Sequence, residues 1–159
     1  MILPELLLQW SDEREEAWWK AVMVVFPTQY GCQNIKQSLI DFRKHKPDRL
    51  TLRTGVDKQD RFTEGTTRIQ IVTYGMLWYW LVKCGQEGVE RLLRQNSCFL
   101  LDEFSGSVEG RGRDDLKADP QVTEVARLLA RAVAAKPEAH RLMMTGATLE
   151  RSFLKRVLP

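Results

Sequence analysis

Five short apolar runs separated by stretches of helical character restrict the fold of this chain more than any other feature. They are AVMVVF (Ala21–Phe26), LTLR (Leu50–Arg53), RIQIVT (Arg68–Thr73), SCFLL (Ser97–Leu101) and RLMMT (Arg141–Thr145). The first has almost no polar interruption. A strand with one wet face alternates apolar and polar residues, so an unbroken run predicts a strand sealed on both faces. Between the runs, Ile35, Leu39 and Phe42 recur at helical spacing over Asn34–Phe42, Gly75 opens a helix through Val82, and Glu87–Gln95 reads as another. Asp119 and Pro120 form an N-cap and first-turn pair for a helix carrying Val122, Val125, Leu129 and Val133 on one face, which Pro137 ends. Gly, Ser and charge over Ser105–Asp115 predict a loop, and a last helix is expected through Leu158. The expected fold is therefore α/β: a mostly parallel sheet with helices on both faces.

With 159 residues, 43% hydrophobic and 28% charged, the chain is the size of one domain spanning 1–159 and carries no biased tract. Cys32, Cys84 and Cys98 are widely spaced, and His45 and His140 join no ligand-like array and read as surface residues, so neither a zinc site nor a disulfide framework is indicated. The most apolar run, Gly75–Val82, is too short to span a bilayer. A soluble protein of a reducing, intracellular compartment, nuclear or cytoplasmic, is expected. The net charge of +3 suits a polyanionic partner without requiring one. From Arg43 to Arg61 seven basic residues outnumber four aspartates, which reads as a solvated face or as a surface that follows phosphates.

Two of the buried runs end in polar motifs, LLDEF at Leu100–Phe104 and TGATL at Thr145–Leu149. In a parallel sheet both ends face one crevice, where ligands bind. Tandem carboxylates there suit nucleotide hydrolysis: one can hold Mg²⁺ through its water shell while the other orients the attacking water. An isolated Asp-Glu pair is weak, and by itself reads as a solvated loop or helix start.

The ordered set is more specific, and it resembles the DEAH-box branch of the superfamily 2 RNA helicases. FPTQY (Phe26–Tyr30) is similar to that family's motif Ia, and the run from Gly55 to Leu77, ending in TYGML, to the approach to motif Ib with Thr73, Tyr74 and Gly75 in place. LLDEFS stands where motif II belongs and TGATLERSFLKRVL where motif III belongs. The resemblance implies a RecA-like P-loop NTPase sheet, with ATP and Mg²⁺ as cofactors of the complete protein and single-stranded RNA, held by its backbone, as partner. Carried over residue by residue, Asp102 would hold Mg²⁺ through water and Glu103 would orient the attacking water. Thr145 and Thr148 would tie the nucleotide site to the nucleic-acid side. Pro27, Thr28, Gln29, Thr73, Tyr74 and Gly75 would line the RNA backbone.

The same resemblance aligns ILPELLLQW (Ile2–Trp10) with the helix that follows the P-loop. No G-x-x-x-x-G-K-S/T occurs in the 159 residues, so the phosphate cradle would lie before Met1 and a second motor domain after Pro159. The expectation is a partial first motor domain, inactive alone. Its missing P-loop strand is expected between the strands of motifs II and III, leaving unpaired backbone inside the sheet and a poorly soluble chain.

Several positions depart from the family pattern. Phe104 and Ser105 replace Ala and His in motif II, Gly146 replaces Ser in motif III, and Thr28 and Gln29 stand where arginines are usual. These changes support an alternative, a degenerate non-catalytic module that binds nucleic acid or protein. A third reading, an unrelated α/β enzyme with a metal on Asp102 and Glu103, leaves the other motifs as coincidence. Trp18, Trp19, Trp78 and Trp80 are either base-stacking platforms or, as near-helical spacing beside Leu77 and Leu81 favours, core and interface residues. Lys36 reads as a helix-surface lysine, and Arg111 and Arg113 as either surface or ligand-facing charge.

Overall fold

The computed structural model describes residues 3–14, 20–57, 60–102 and 120–146, together with Lys155 and Leu158. Its elements run α1 (Leu3–Asp12), β1 (Ala21–Phe26), α2 (Gln29–Asp41), β2 (Leu50–Arg53), β3 (Ile69–Thr73), α3 (Tyr74–Trp78), α4 (Gly85–Gln95), β4 (Asn96–Leu101), α5 (Pro120–Ala134) and β5 (Arg141–Met144). The five strands form one sheet in the order β2-β3-β1-β4-β5, every neighbouring pair parallel. The α/β expectation holds, and all five apolar runs are strands.

Side-chain alternation explains why the central strands are so uniformly apolar. Val22 and Val24 of β1, Ile69 and Ile71 of β3, and Cys98 and Leu100 of β4 point to one face, where α1 and α2 cover them with Leu7, Leu8, Ile35 and Leu39. Met23, Val25, Val72, Phe99 and Leu101 point to the other, against Leu77, Leu92, Val125 and Leu129 of α3, α4 and α5. Every residue from Ala21 to Val25 has no exposed surface. Burying a Val, Leu or Met side chain contributes roughly 1.5–3 kcal/mol, so the two-sided layer supplies most of the driving force. Val122, Val125, Leu129 and Val133 form the buried stripe of α5 as their spacing predicts.

Strand order departs from the sequence reading in one respect. The strands that end in the acidic pair and in TGATL are direct neighbours, with Cys98 opposite Arg141 and Leu101 opposite Met144. No strand separates them, so the expected gap inside the sheet is not there. β5 is the outer strand on that side. Beside it lies a largely apolar groove of about 610 Å³ between α1 and α5, walled by Leu7, Trp10, Val133, Leu142 and Met144.

Two helix ends also differ. α2 begins at Gln29, five residues before the predicted start, because the Thr28 hydroxyl accepts the Gly31 N–H at 3.0 Å and caps the first turn. At its other end Phe42 is the C-cap and 80% exposed, not part of the buried face. The helix opened at Tyr74 runs on as a π turn over Tyr79–Lys83, closed by the Cys84 N–H donating to the Tyr79 carbonyl at 3.2 Å. Such single π turns recur at functional sites.

Both histidines correct the surface reading. His140 is 4% exposed, and its Nε2 lies 2.8 Å from the Leu93 carbonyl, which it can reach only as a donor. His45 is half-buried against the Glu5 carboxylate of α1. Lys36 pairs with Asp60 at 3.2 Å. Trp80 is buried and Trp78 packs against the core, as near-helical spacing favours. The loop over Ser105–Asp115, Asp119, the terminal helix except Lys155 and Leu158, Trp18, Trp19, Arg111 and Arg113 lie outside the described residues.

Candidate nucleotide and nucleic-acid edge

From β1 the chain passes outward to β2, returns through β3, and then crosses to the other side of β1 at β4. The strand order therefore reverses between β1 and β4, and the crevice at their carboxyl ends is where an open parallel sheet binds ligands. Thr28 follows β1 there and Asp102 follows β4. The Asp102 N–H donates to the Val25 carbonyl at 2.9 Å, extending the ladder by one residue and fixing the carboxylate at the mouth of the crevice.

Two further groups hold this corner. The Thr145 N–H donates to the Leu101 carbonyl at 3.0 Å, and the Thr145 hydroxyl donates to Asp102 Oδ1 at 2.7 Å. A bond this short to a carboxylate is at the strong end of its class. From the α3 side the Tyr74 hydroxyl donates to the Asp102 carbonyl at 2.9 Å. Asp102 and Thr145, both named from sequence, are thus brought together. Glu103 and Thr148, named with them, lie outside the described residues.

Along the same edge, β1 and β3 end in register with Phe26 opposite Thr73, and each is followed by a threonine-capped helix. Thr73 accepts the Met76 N–H at 3.3 Å as Thr28 accepts that of Gly31. Pro27 and Thr28 are half-buried while Gln29 and Gly75 are exposed. A Cβ on Gly31 would lie 2.0 Å from the Phe26 ring and 2.8 Å from the Thr28 hydroxyl, so a side chain here would have to displace both. Of the residues expected to line nucleic acid, Thr73 and Tyr74 are both buried, and Tyr74 lies deeper. It is 3% exposed and its side chain belongs to the core.

The donors present decide which cofactors the edge fits. Among the described residues no three His, Cys, Asp or Glu side chains come together to hold a metal. Mg²⁺ keeps several waters and is commonly held by one or two carboxylates together with substrate phosphates, an arrangement that one positioned Asp102 fits and a closed protein cage would not. A nucleotide is a different matter: the glycine-rich loop and lysine that cradle its phosphates do not occur in the 159 residues.

Sequence reasoning passed over Tyr79, and it took in Arg53 only as one of the seven basic residues between Arg43 and Arg61. Neither stands in a motif, and only the fold brings them beside Thr73 and Gly75, around a cleft of about 410 Å³. No helix among the described residues is long and apolar enough to cross a membrane.

By sequence the chain matches no protein-family profile and no characterised protein. By structure it is similar to the UvsW helicase of bacteriophage T4, with a TM-score of 0.63 over 98% of this chain at 9% identity. It is also similar to S. cerevisiae Dbp5, in a structure bound to Nup159, Gle1, IP6 and ADP, with a TM-score of 0.54 over 86% of this chain at 14% identity. The chain spans 46% of the UvsW chain and 32% of the Dbp5 chain. At these identities the likeness establishes the fold: an all-parallel α/β sheet of the RecA-like kind found in helicase domains.

Proposed function

We propose that the chain is part of the first motor domain of a DEAH-type ATP-dependent RNA helicase, with Asp102 on the nucleotide side of the carboxyl edge and Pro27, Thr28, Gln29, Thr73 and Gly75 on the RNA side. The observation that carries this reading is the Thr145–Asp102 hydrogen bond at the point where strand order reverses. In motor domains of this kind the catalytic carboxylates must respond to events on the nucleic-acid side, and a side-chain bridge between adjacent strands is a direct physical means of coupling them. Asp102 would take the water shell of Mg²⁺, Glu103 would orient the attacking water, and Thr148 would join Thr145 in the link. Mg²⁺, when bound, supplies charge neutralisation for the transferred phosphoryl group. By itself the chain is expected to turn over no ATP.

The degenerate-module alternative draws on Phe104, Ser105 and Gly146. Gly146 removes one hydroxyl from the motif III strand end, yet the neighbouring Thr145 still reaches Asp102 at 2.7 Å. The link between the two motifs therefore survives the change, which favours the motor reading. A soluble setting, nuclear or cytoplasmic, goes with either.

The test is binding of a fluorescent ATP analogue with Mg²⁺ to this chain and to a longer form carrying a P-loop ahead of Met1. Binding only to the longer form, lost in Asp102→Ala, is the expected result. Failure of both forms to bind would leave the non-catalytic module as the better description.

A further inference from the structure

The carboxyl ends of β2 and β3 open on the cleft of about 410 Å³, walled by Arg53, Gly55, Thr73, Gly75, Tyr79 and Trp80. The Arg53 guanidinium lies over the Trp80 ring, its Cζ 5.3 Å from the centroid. Its Nε is buried and, among the described residues, has no hydrogen-bond partner. On its other side Arg53 also borders a smaller cleft of about 130 Å³, to which Arg61 and Arg91 contribute. No Asp or Glu lines either cleft among the described residues. A guanidinium over an indole, with two more beside it and no carboxylate in the walls, is an excess of positive charge that an anion would satisfy.

The neighbouring aromatic is placed differently. Trp80 is 6% exposed and serves as the shelf for Arg53, whereas Tyr79, one residue earlier at the start of the π turn, is 52% exposed. Tyr79 lies four residues after Gly75, on the same side of the helix, and a Cβ on Gly75 would meet nothing within 4 Å. A strand can therefore approach the backbone at Gly75 and meet the Tyr79 ring one helical turn further on. Gln29 joins this cleft to the turn after β1, its Nε2 lying 3.4 Å from where a Gly55 Cβ would stand.

We propose that this cleft is a subsite for one nucleotide unit of single-stranded RNA, with Tyr79 stacking an unpaired base and Arg53 taking the adjoining phosphate. The assignment rests on the RNA-side reading of the carboxyl edge and adds base contact to what that reading treats as backbone contact alone. Every base has a face that an aromatic ring can stack on, so the subsite accepts any base and excludes paired ones.

The test is fluorescence anisotropy with a fluorescein-labelled oligouridylate and with an abasic strand of the same backbone, measured over a range of salt. The wild-type chain is expected to prefer the oligouridylate by roughly tenfold. Tyr79→Ala should abolish that preference and Tyr79→Phe should keep it, since the ring and not the hydroxyl stacks. Arg53→Gln should lower the slope of log affinity against log salt by about 0.7, the loss of one phosphate contact on a single strand. Circular dichroism would show that each variant is folded. If the wild type binds both strands equally, or Tyr79→Ala retains the preference, the subsite is overturned while RNA binding on this edge stands. If the wild type binds neither strand, the RNA-side reading fails and the subsite with it.

Discussion

The Thr145 hydroxyl donates to Asp102 Oδ1 at 2.7 Å, so the residue that follows the fifth strand holds the carboxylate that follows the fourth. Both residues are partly exposed, which limits what the bond is worth. Replacing Thr145 by Val keeps the shape and removes the donor, and should lower stability by about 1 kcal/mol. Thr145→Ser should recover most of that loss. Urea unfolding of the three proteins measures it, and a Val variant as stable as wild type would mean that the bond contributes nothing.

Gly88 makes a second close relationship, with the π turn. A Cβ added there would sit 1.9 Å from the Trp80 carbonyl oxygen and 2.8 Å from Cys84 Cβ. The first neighbour is backbone and cannot rotate away, so α4 approaches the π turn this closely only because residue 88 has no side chain. Gly88→Ala is expected to destabilise the chain by about 1–3 kcal/mol or to shift the turn. Thermal melts together with tryptophan emission would detect either, and an unchanged melting temperature and spectrum would contradict the packing.

How legible all this was depended on the range of the interaction. β1 matches its predicted ends, and β2, β3, β4 and β5 match to within a residue, because an apolar strand announces itself locally. The start of α2 is hidden in the sequence because Thr28 stands in a motif that resembles a ligand contact, while its oxygen is also the helix cap. Strand order was missed entirely, since nothing in SCFLL or RLMMT says which strand lies beside which. Asp102 and Thr145 were found through motifs, yet their mutual bond is a product of register. The place of Arg53 over Trp80, Tyr79 and the burial of His140 come from contacts distant in sequence, to which no periodicity points.

His140 carries a prediction about acid. Burial lowers its pKa, and the positive charges of Lys20, Lys136 and Arg14 act in the same direction, against the bond to the Leu93 carbonyl. A base whose pKa is depressed in the fold stays neutral there while the unfolded chain takes up a proton. The contribution is therefore fully present above the ordinary value of 6.5 and is lost as pH falls through and below it. Urea midpoints should fall between pH 7.5 and pH 5.5, and His140→Gln should flatten that slope. Equal slopes for both proteins would assign the acid sensitivity elsewhere.

The cysteines carry the opposite sign. Burial pushes the Cys32 thiol up to about 12 and the Cys98 thiol up to about 11, from an ordinary value of 9.0. Cys84, at the end of the π turn, is partly exposed. Since the thiolate is the nucleophile, a thiol reagent at pH 8 should modify Cys84 first and reach Cys32 and Cys98 only in denaturant. The same shifts are stability statements. Above pH 9 the unfolded chain loses thiol protons that the folded chain keeps, so stability declines at up to about 1.4 kcal/mol per pH unit for each thiol until its folded pKa is reached. Replacing Cys32 and Cys98 by Ala should reduce the alkaline slope measured by urea unfolding between pH 8 and pH 10, even though the missing sulfurs lower stability at neutral pH. A slope unchanged by the double replacement, or rapid labelling of three thiols in the folded protein, would show that these side chains are not sealed between the sheet and its helices.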